Sequence, residues 1–293
     1  MLFRNSKNRS SPARILVFLS SLLAGLPEGF CEYPAAAYNP PERLLAERPT
    51  MEGHTARPLR YRPDGGDFVI ENGAEYFNRP LYGGNTPFRA DAGDKPEISL
   101  YLPGHGGNIR MGIRQGKTIR RLDEAERLIS RYRPGSMVYE IEDPLLGKGR
   151  MKLTAAALYE GEGVILRAEI EQTETPCEWV IVYGGVNGRR GQRGGDIGCE
   201  AEPVGRFFQF RPEFCRNNQI SIRQNVFVLK SKVGTLEGVL PTGAVLLEAD
   251  GRQWETLEGM AASAGQEFEL PVVMASVPLQ TGKPAYFLLR RIQ

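Results

Sequence analysis

After about residue 66, apolar and polar residues alternate in short runs along this chain, and almost no stretch has helical periodicity. In residues 164–170 every second residue is apolar, as expected for a strand with one buried face. The other runs with strand character are 97–102, 220–229, 268–277 and 285–292. The turn signals between strands include 134–135, 147–149, 160–163 and 250–251. Many strands joined by polar turns predict an all-β domain, a large sandwich of two antiparallel sheets with little helix, and a closed barrel is the alternative.

One of these segments, residues 220–229, is predicted to be a single strand. The pattern assigns one face of it to Ile220, Ile222, Val226 and Val228. Gln224 interrupts this pattern.

The N-terminus has the features of a signal peptide. A basic segment that ends at Arg14 precedes an apolar run from Ile15 to Leu26, and Pro27 follows. This run is too short to cross a bilayer core of about 30 Å as a helix. We therefore predict a signal peptide over residues 1–31 with cleavage after Cys31, and an exported protein in the periplasm or outside the cell. An uncleaved membrane anchor and a lipid-modified Cys31 are the alternatives.

Charge and composition bear on whether nucleic acid or a membrane is a partner of this chain. Apolar residues make up 41 % of the chain and charged residues 25 %, as in an ordinary globular protein. Removal of residues 1–31 lowers the formal charge from +2 to about −1. Because the mature chain is near neutral, we predict no nucleic-acid partner. Because the apolar leader is removed, we predict no membrane partner.

The remaining chain divides into two parts. Residues 32–66 are rich in Pro and Arg, which indicates an N-terminal arm or a linker. Residues 67–293 are predicted to form the sandwich domain.

Three cysteines follow the leader. Cys199 and Cys215 flank an apparent strand, residues 204–210, and we predict a disulfide bridge between them, which would stabilise the fold by about 3 kcal/mol in the chain-entropy model. Cys177 opens an apolar strand and is predicted to be a buried free thiol. The cysteine spacing matches no zinc pattern.

The first segment with possible chemistry is 71–103, in which aromatic rings stand among amides and guanidinium groups. Flat rings pack on the C–H faces of sugars while amide and guanidinium donors meet hydroxyl groups. We predict glycan contacts for Tyr76, Tyr82 and Phe88; the alternative is that the rings are core and the polar groups close turns. The carboxylates of this segment are Glu71, Glu75, Asp91, Asp94 and Glu97. They are candidates for a calcium site or for a glycosidase pair, and solvated turn residues are the simpler interpretation.

A second segment, residues 184–198, is a loop with seven glycines among fifteen residues. Arg189, Arg190 and Arg193 stand among the glycines. No helix is predicted after it, so a phosphate-binding P-loop is not supported. Arginine forks bind carboxylates well, so we predict contacts with a glycan that contains uronic acid, and a solvated hairpin tip is the alternative.

Local sequence indicates no other chemistry. The chain has two histidines, His54 and His105, and no G-x-S-x-G nucleophile elbow. No metal and no cofactor are predicted.

Long motifs in the chain resemble a family of large secreted proteins of uncharacterised function from polysaccharide-degrading Bacteroidetes. The motifs lie at 71–89, 96–113, 131–149, 194–200 and 212–218. The resemblance covers roughly residues 65–290. It implies the N-terminal β-sandwich of a two-part glycoside hydrolase, whose second part is an (α/α)₆ toroid of the six-hairpin type. The present chain is similar to a truncated or short form without that toroid.

These observations together predict an exported accessory β-sandwich of a polysaccharide-degrading glycoside hydrolase, without hydrolytic activity of its own. Two alternatives remain. One is a stand-alone carbohydrate-binding module that uses Tyr76, Tyr82 and Phe88. The other is a glycosidase complete in this chain that uses two of Glu71, Glu75, Asp91 and Asp94.

Overall fold

The computed structural model describes residues 60–172, 175–190 and 204–292, and these residues form a β-sandwich. Two large sheets, of ten and eight strands, stack with antiparallel pairing throughout. The predicted sandwich is therefore confirmed.

The ten-stranded sheet connects segments that are far apart in sequence. In spatial order its strands are β1 (Arg62–Asp64), β2 (Asp67–Glu71), β8 (Arg127–Arg133), β9 (Ser136–Glu142), β10 (Arg150–Ala157), β11 (Gly163–Glu171), β18 (Ala285–Arg291), β15 (Gly234–Val239), β14 (Val226–Ser231) and β13 (Gln219–Arg223).

The eight-stranded sheet carries the candidate site described below. In spatial order its strands are β16 (Val245–Asp250), β17 (Pro271–Pro278), β12 (Glu178–Val186), β6 (His105–Gln115), β5 (Ile98–Tyr101), β4 (Arg89–Ala92) and β3 (Arg79–Leu81), and β7 (Thr118–Arg121) pairs with the end of β6.

Helical segments in the described ranges are short. They are α1 (Val204–Phe207), α2 (Leu257–Ser263) and 3₁₀ turns at Leu122–Glu124, Pro144–Leu146, Pro212–Cys215 and Gly251–Gln253. No helix within these ranges has the length and apolar character needed to span a bilayer.

The main core lies between the two sheets and follows the period of two that the sequence shows. On β11, Val164, Leu166, Ala168 and Ile170 are all buried in this core. On β6, Ile109, Met111 and Ile113 point into the same core. The polar residues that alternate with them, Asn108 and Arg110, therefore lie on the outer face of the eight-stranded sheet. A buried Asn or Arg needs partners there, and these partners build the candidate site.

Two predicted strands differ from the structure. Residues 220–229 form two strands, because the chain reverses at Gln224, whose positive φ of 54° suits a tight turn. Ile220 consequently pairs with Leu229, and Ile222 pairs with Phe227. Phe227 and Leu229 enter the core in place of the predicted valines of that strand.

The predicted strand at 204–210 is also wrong, since its first residues form α1. Phe207 and Phe208 are adjacent in sequence and both are fully buried. They pack with Phe77 and Tyr101 in a separate aromatic cluster. Two adjacent residues of a strand point to opposite faces, whereas this cluster accepts both rings from one side because the backbone is helical there.

The domain begins slightly earlier than predicted, because β1 lies inside the expected 32–66 arm. The predicted signal peptide and most of the arm lie outside the described residues. Cys177 and Cys215 are buried. Cys215 is a free thiol, Cys199 lies outside the described residues, and the predicted bridge between them is not shown.

Candidate functional site

A cleft of about 480 Å³ opens on the outer face of the eight-stranded sheet. Its wall is formed by the loop between β2 and β3, by strand residues of the sheet, by α1 and by the loop before α2. The residues that line it are Glu75, Tyr76, Phe77, Asn78, Glu97, Arg110, Arg121, Gly205, Arg206, Gln209 and Glu255. The cleft combines aromatic rings, amides and charges of both signs.

Arg110 and Glu97 form the base of the cleft. Arg110 donates from Nη2 and Nε to Glu97 Oε2 at 2.8 and 3.0 Å, and Asn108 donates to Oε1 at 3.2 Å. Glu97 is buried, and this burial raises its pKa, against the opposing charge of Arg110. Both carboxylate oxygens are occupied, so the pair is a fixed part of the scaffold.

A second carboxylate, Glu255, stands at the rim. Its Oε2 accepts from Arg110 Nη1 and Arg121 Nη1, both at 3.2 Å. The Glu255 side chain is 73 % exposed, so solvent reaches it in spite of these contacts. Arg110 thus bridges a buried carboxylate and an open one.

Tyr76 is held with its ring at the cleft by a neighbouring carboxylate. Its hydroxyl donates to Asp123 Oδ2 at 2.7 Å, and Arg121 pairs with the same carboxylate at 2.9 Å. Burial and the charge of Asp123 raise the pKa of Tyr76. The hydroxyl therefore stays protonated, and the ring orientation is fixed.

A network behind Glu75 anchors the β2–β3 loop. Arg60 donates to Glu75 Oε1 at 2.7 Å and to Asp94 Oδ2 at 2.8 Å. Asp94 is fully buried and also accepts from the Tyr61 hydroxyl and from the Glu75 amide. Asn78 donates to Asp94 over 3.4 Å. Asp94 is therefore a structural anchor, with its oxygens occupied.

Two polar residues of the cleft remain available to a ligand. Arg206 and Gln209, on and just after α1, are exposed. Arg206 makes no ion pair with another residue of the described ranges. These groups can donate hydrogen bonds without breaking an existing contact.

The structure separates the three aromatic residues that the sequence grouped as glycan contacts. Tyr76 lines the cleft. Tyr82 is 56 % exposed and lies in a different groove, beside Tyr159. Phe88 is 3 % exposed within the main core, so its prediction as a glycan contact is wrong. Phe88 directly precedes β4, in which every residue is buried.

The described part of the Gly/Arg loop is anchored to β6. The Arg189 carbonyl accepts from the His105 amide at 2.8 Å, and the Arg189 guanidinium lies 5.7 Å from the Phe207 ring. Arg190 is exposed. Arg193 lies outside the described residues. Neither Arg189 nor Arg190 lines the cleft.

The predicted carboxylates lie in different surroundings. Glu71 pairs with Arg127 on the ten-stranded sheet at 2.8 Å. Asp91 is buried against Arg89 at 2.9 Å, and burial raises its pKa to about 6. Of the five carboxylates, Glu75 and Glu97 line the cleft. Within the described ranges, no group of three or more His, Cys, Asp or Glu residues is placed to hold a metal ion.

Sequence reasoning missed several lining residues, namely Arg110, Arg121, Arg206, Gln209 and Glu255. One signal was present, since Asn108 and Arg110 alternate with apolar residues and so mark a polar outer face on β6. The remaining residues come from distant segments, and no local pattern connects them.

Comparison with known protein families matches residues 102–293 to a family described as a domain of unknown function, DUF4450. The match includes the cleft residues from Arg110 to Glu255, while the β2–β3 loop precedes it. No curated protein matches the chain.

Proposed function

The chain belongs to the DUF4450 family, whose function is unknown, and we propose that it is an exported accessory β-sandwich of a polysaccharide-degrading glycoside hydrolase. In this proposal the domain contacts glycan in the cleft on the outer face of the eight-stranded sheet and does not cleave it.

The composition of the cleft carries this proposal. Glycans are recognised by flat apolar faces together with amide and charged donors placed around them. Tyr76 supplies a ring, while Asn78 and Gln209 supply amides. A volume of about 480 Å³ falls within the range of small-ligand sites.

The charge arrangement favours a sugar acid. Arg110 and Arg121 are committed to Glu97, Asp123 and Glu255. Arg206 is the lining cation without such a partner in the described ranges, and a guanidinium binds a carboxylate with two parallel hydrogen bonds. We therefore propose that Arg206 binds the carboxylate of a uronic-acid unit.

The carboxylates of the cleft are poorly suited to hydrolysis. A glycosidase needs one protonated acid and one carboxylate free to act as base or nucleophile. Both oxygens of Glu97 already accept hydrogen bonds, and Glu255 is bridged by two arginines. These contacts bind both carboxylates to arginines, which supports an accessory role.

The family resemblance supplies the proposed context. Motifs similar to those of secreted Bacteroidetes proteins support a partner catalytic domain, an (α/α)₆ toroid that would hold the bond-breaking residues. The predicted leader supports export.

The test is binding of the purified chain to acidic and neutral polysaccharides by affinity gel electrophoresis. We expect retardation by polygalacturonate, and a loss of at least tenfold in affinity for the variant Arg206→Ala with Gln209→Ala, since a charge-assisted pair contributes about 1.5–3 kcal/mol. Arg223→Ala, an exposed arginine of β13, is the matched control and keeps full affinity.

The same samples are assayed for reducing-sugar release. The proposal expects none. Turnover abolished by Glu255→Gln would replace it with an enzyme complete in this chain. Absence of retardation by every polysaccharide, with a folded chain, would refute the glycan-contact role.

A further inference from the structure

A second groove lies at one end of the sandwich, where two loops meet. Its lining is Tyr82, Gly83, Gly84, Asn85 and Tyr159, and its volume is about 330 Å³. The first four residues belong to the β3–β4 loop, and Tyr159 belongs to the β10–β11 turn. The groove shares no residue with the cleft described above.

Glycine at two positions brings the loops into backbone contact. A Cβ atom on Gly83 would lie 1.9 Å from the Leu158 carbonyl oxygen, and one on Gly84 would lie 2.8 Å from the Tyr159 carbonyl oxygen. Only residues without side chains permit such an approach. The contact fixes the positions at which the two flanking tyrosines leave the backbone.

Both rings then extend into solvent. Tyr82 is 56 % exposed and Tyr159 is 82 % exposed, although most large rings of this domain are buried. Two exposed rings at one groove present apolar surface that folding does not use. Their hydroxyl groups and the Asn85 amide provide hydrogen-bonding groups around it.

We propose that the Tyr82–Tyr159 groove is a second glycan-binding site that takes a neutral sugar unit by stacking. No charged side chain lines it, which favours a neutral ring over a uronic acid and over the phosphates of a nucleic acid. This inference rests on the proposed glycan-contact role and extends it: an acidic unit binds in the cleft, and a neutral stretch stacks at the groove.

The test uses xyloglucan, glucomannan and arabinoxylan as neutral probes in affinity gels, with the full chain. We expect retardation by at least one of them. Tyr82→Ala and Tyr159→Ala each weaken it about three- to tenfold, which is the range for loss of one ring contact. Tyr286→Ala removes a ring that is 45 % exposed on β18, and it is the matched control with unchanged binding.

Each result separates this proposal from the role of the cleft. Loss of neutral-glycan binding in the two tyrosine variants, with the cleft variant Arg206→Ala, Gln209→Ala unaffected, supports the groove. Binding that is lost only in the cleft variant overturns the groove and leaves the cleft proposal intact. Failure of all neutral probes, or equal binding by all variants, overturns the groove. If no sugar binds, and an immobilised proline-rich peptide retains the wild type but not the tyrosine variants, the result overturns the neutral-sugar proposal in favour of peptide recognition.

Discussion

His105 makes the stability of this domain depend on acid in a way that can be measured. The side chain is fully buried at the start of β6, and its Nδ1 lies 3.2 Å from the Gly185 carbonyl oxygen. The ring packs 5.1 Å from that of Phe214. Burial lowers the pKa of His105 from 6.5 to about 4, and the Phe208 and Gly185 carbonyls oppose this only in part.

The sign and the size follow from proton linkage. The unfolded chain binds a proton at this histidine near pH 6.5, whereas the folded chain does so only near pH 4. The contribution of neutral His105 is therefore complete above pH 6.5 and is lost as the pH falls to 4. At about 1.4 kcal/mol per pH unit, the free energy of unfolding falls by about 3 kcal/mol across this window.

The assay is urea unfolding of the wild type and of His105→Gln between pH 7 and pH 4. The difference between the two unfolding free energies isolates His105, because both proteins share every other titrating group, including Asp91. We expect this difference to shrink by about 3 kcal/mol at the acid end. With only two histidines in the chain, NMR titration of the ring protons gives the pKa directly. A difference that does not change with pH, or a His105 pKa near 6.5, would refute the argument.

Two further predictions concern packing and charge. A Cβ on Gly238 would lie 2.1 Å from the Phe227 ring, so Gly238→Ala should lower the unfolding free energy by about 1–3 kcal/mol in the same urea assay. At Gly161 a Cβ meets nothing within 4 Å, so the control Gly161→Ala should stay within about 0.5 kcal/mol of wild type. Equal effects at both sites would contradict the packing. Arg110→Met leaves the Glu97 carboxylate buried without its partner and should lower the free energy of unfolding by about 3–5 kcal/mol at pH 7, measured by chemical denaturation. The double variant Arg110→Met, Glu97→Leu should recover much of this loss. No recovery in the double variant would show that Arg110 acts through other contacts.

The sequence predicted the layers but not the site, and Arg110 shows why. On β6, which was not among the predicted strands, Ile109 and Met111 alternate with polar neighbours and face the core. The sequence did not show which residues cover the outer face, because the covering residues follow α1, about one hundred positions after β6 in the chain. The Asn108 side chain donates to the Phe208 carbonyl at 2.9 Å across that separation. Only the folded chain creates this contact.

The same limit explains the aromatic residues. Tyr76, Tyr82 and Phe88 lie close in sequence, yet the structure places them in a cleft, a groove and the core. Residue type predicts that a ring can stack on a sugar, whereas exposure decides whether it can reach one. Tyr159 was missed because its position in the groove depends on the backbone contact with Gly84.

The sequence by itself determined that strands with one buried face build this domain, since an alternation of period two can bury only one face of each strand. It left a sandwich and a closed barrel open, and the tertiary structure decided for the sandwich. The tertiary structure decided where the polar outer face becomes a cleft and where two tyrosines share a groove. Such sites join segments from distant parts of the chain, and their distances depend on how the strands pair, which local periodicity does not encode.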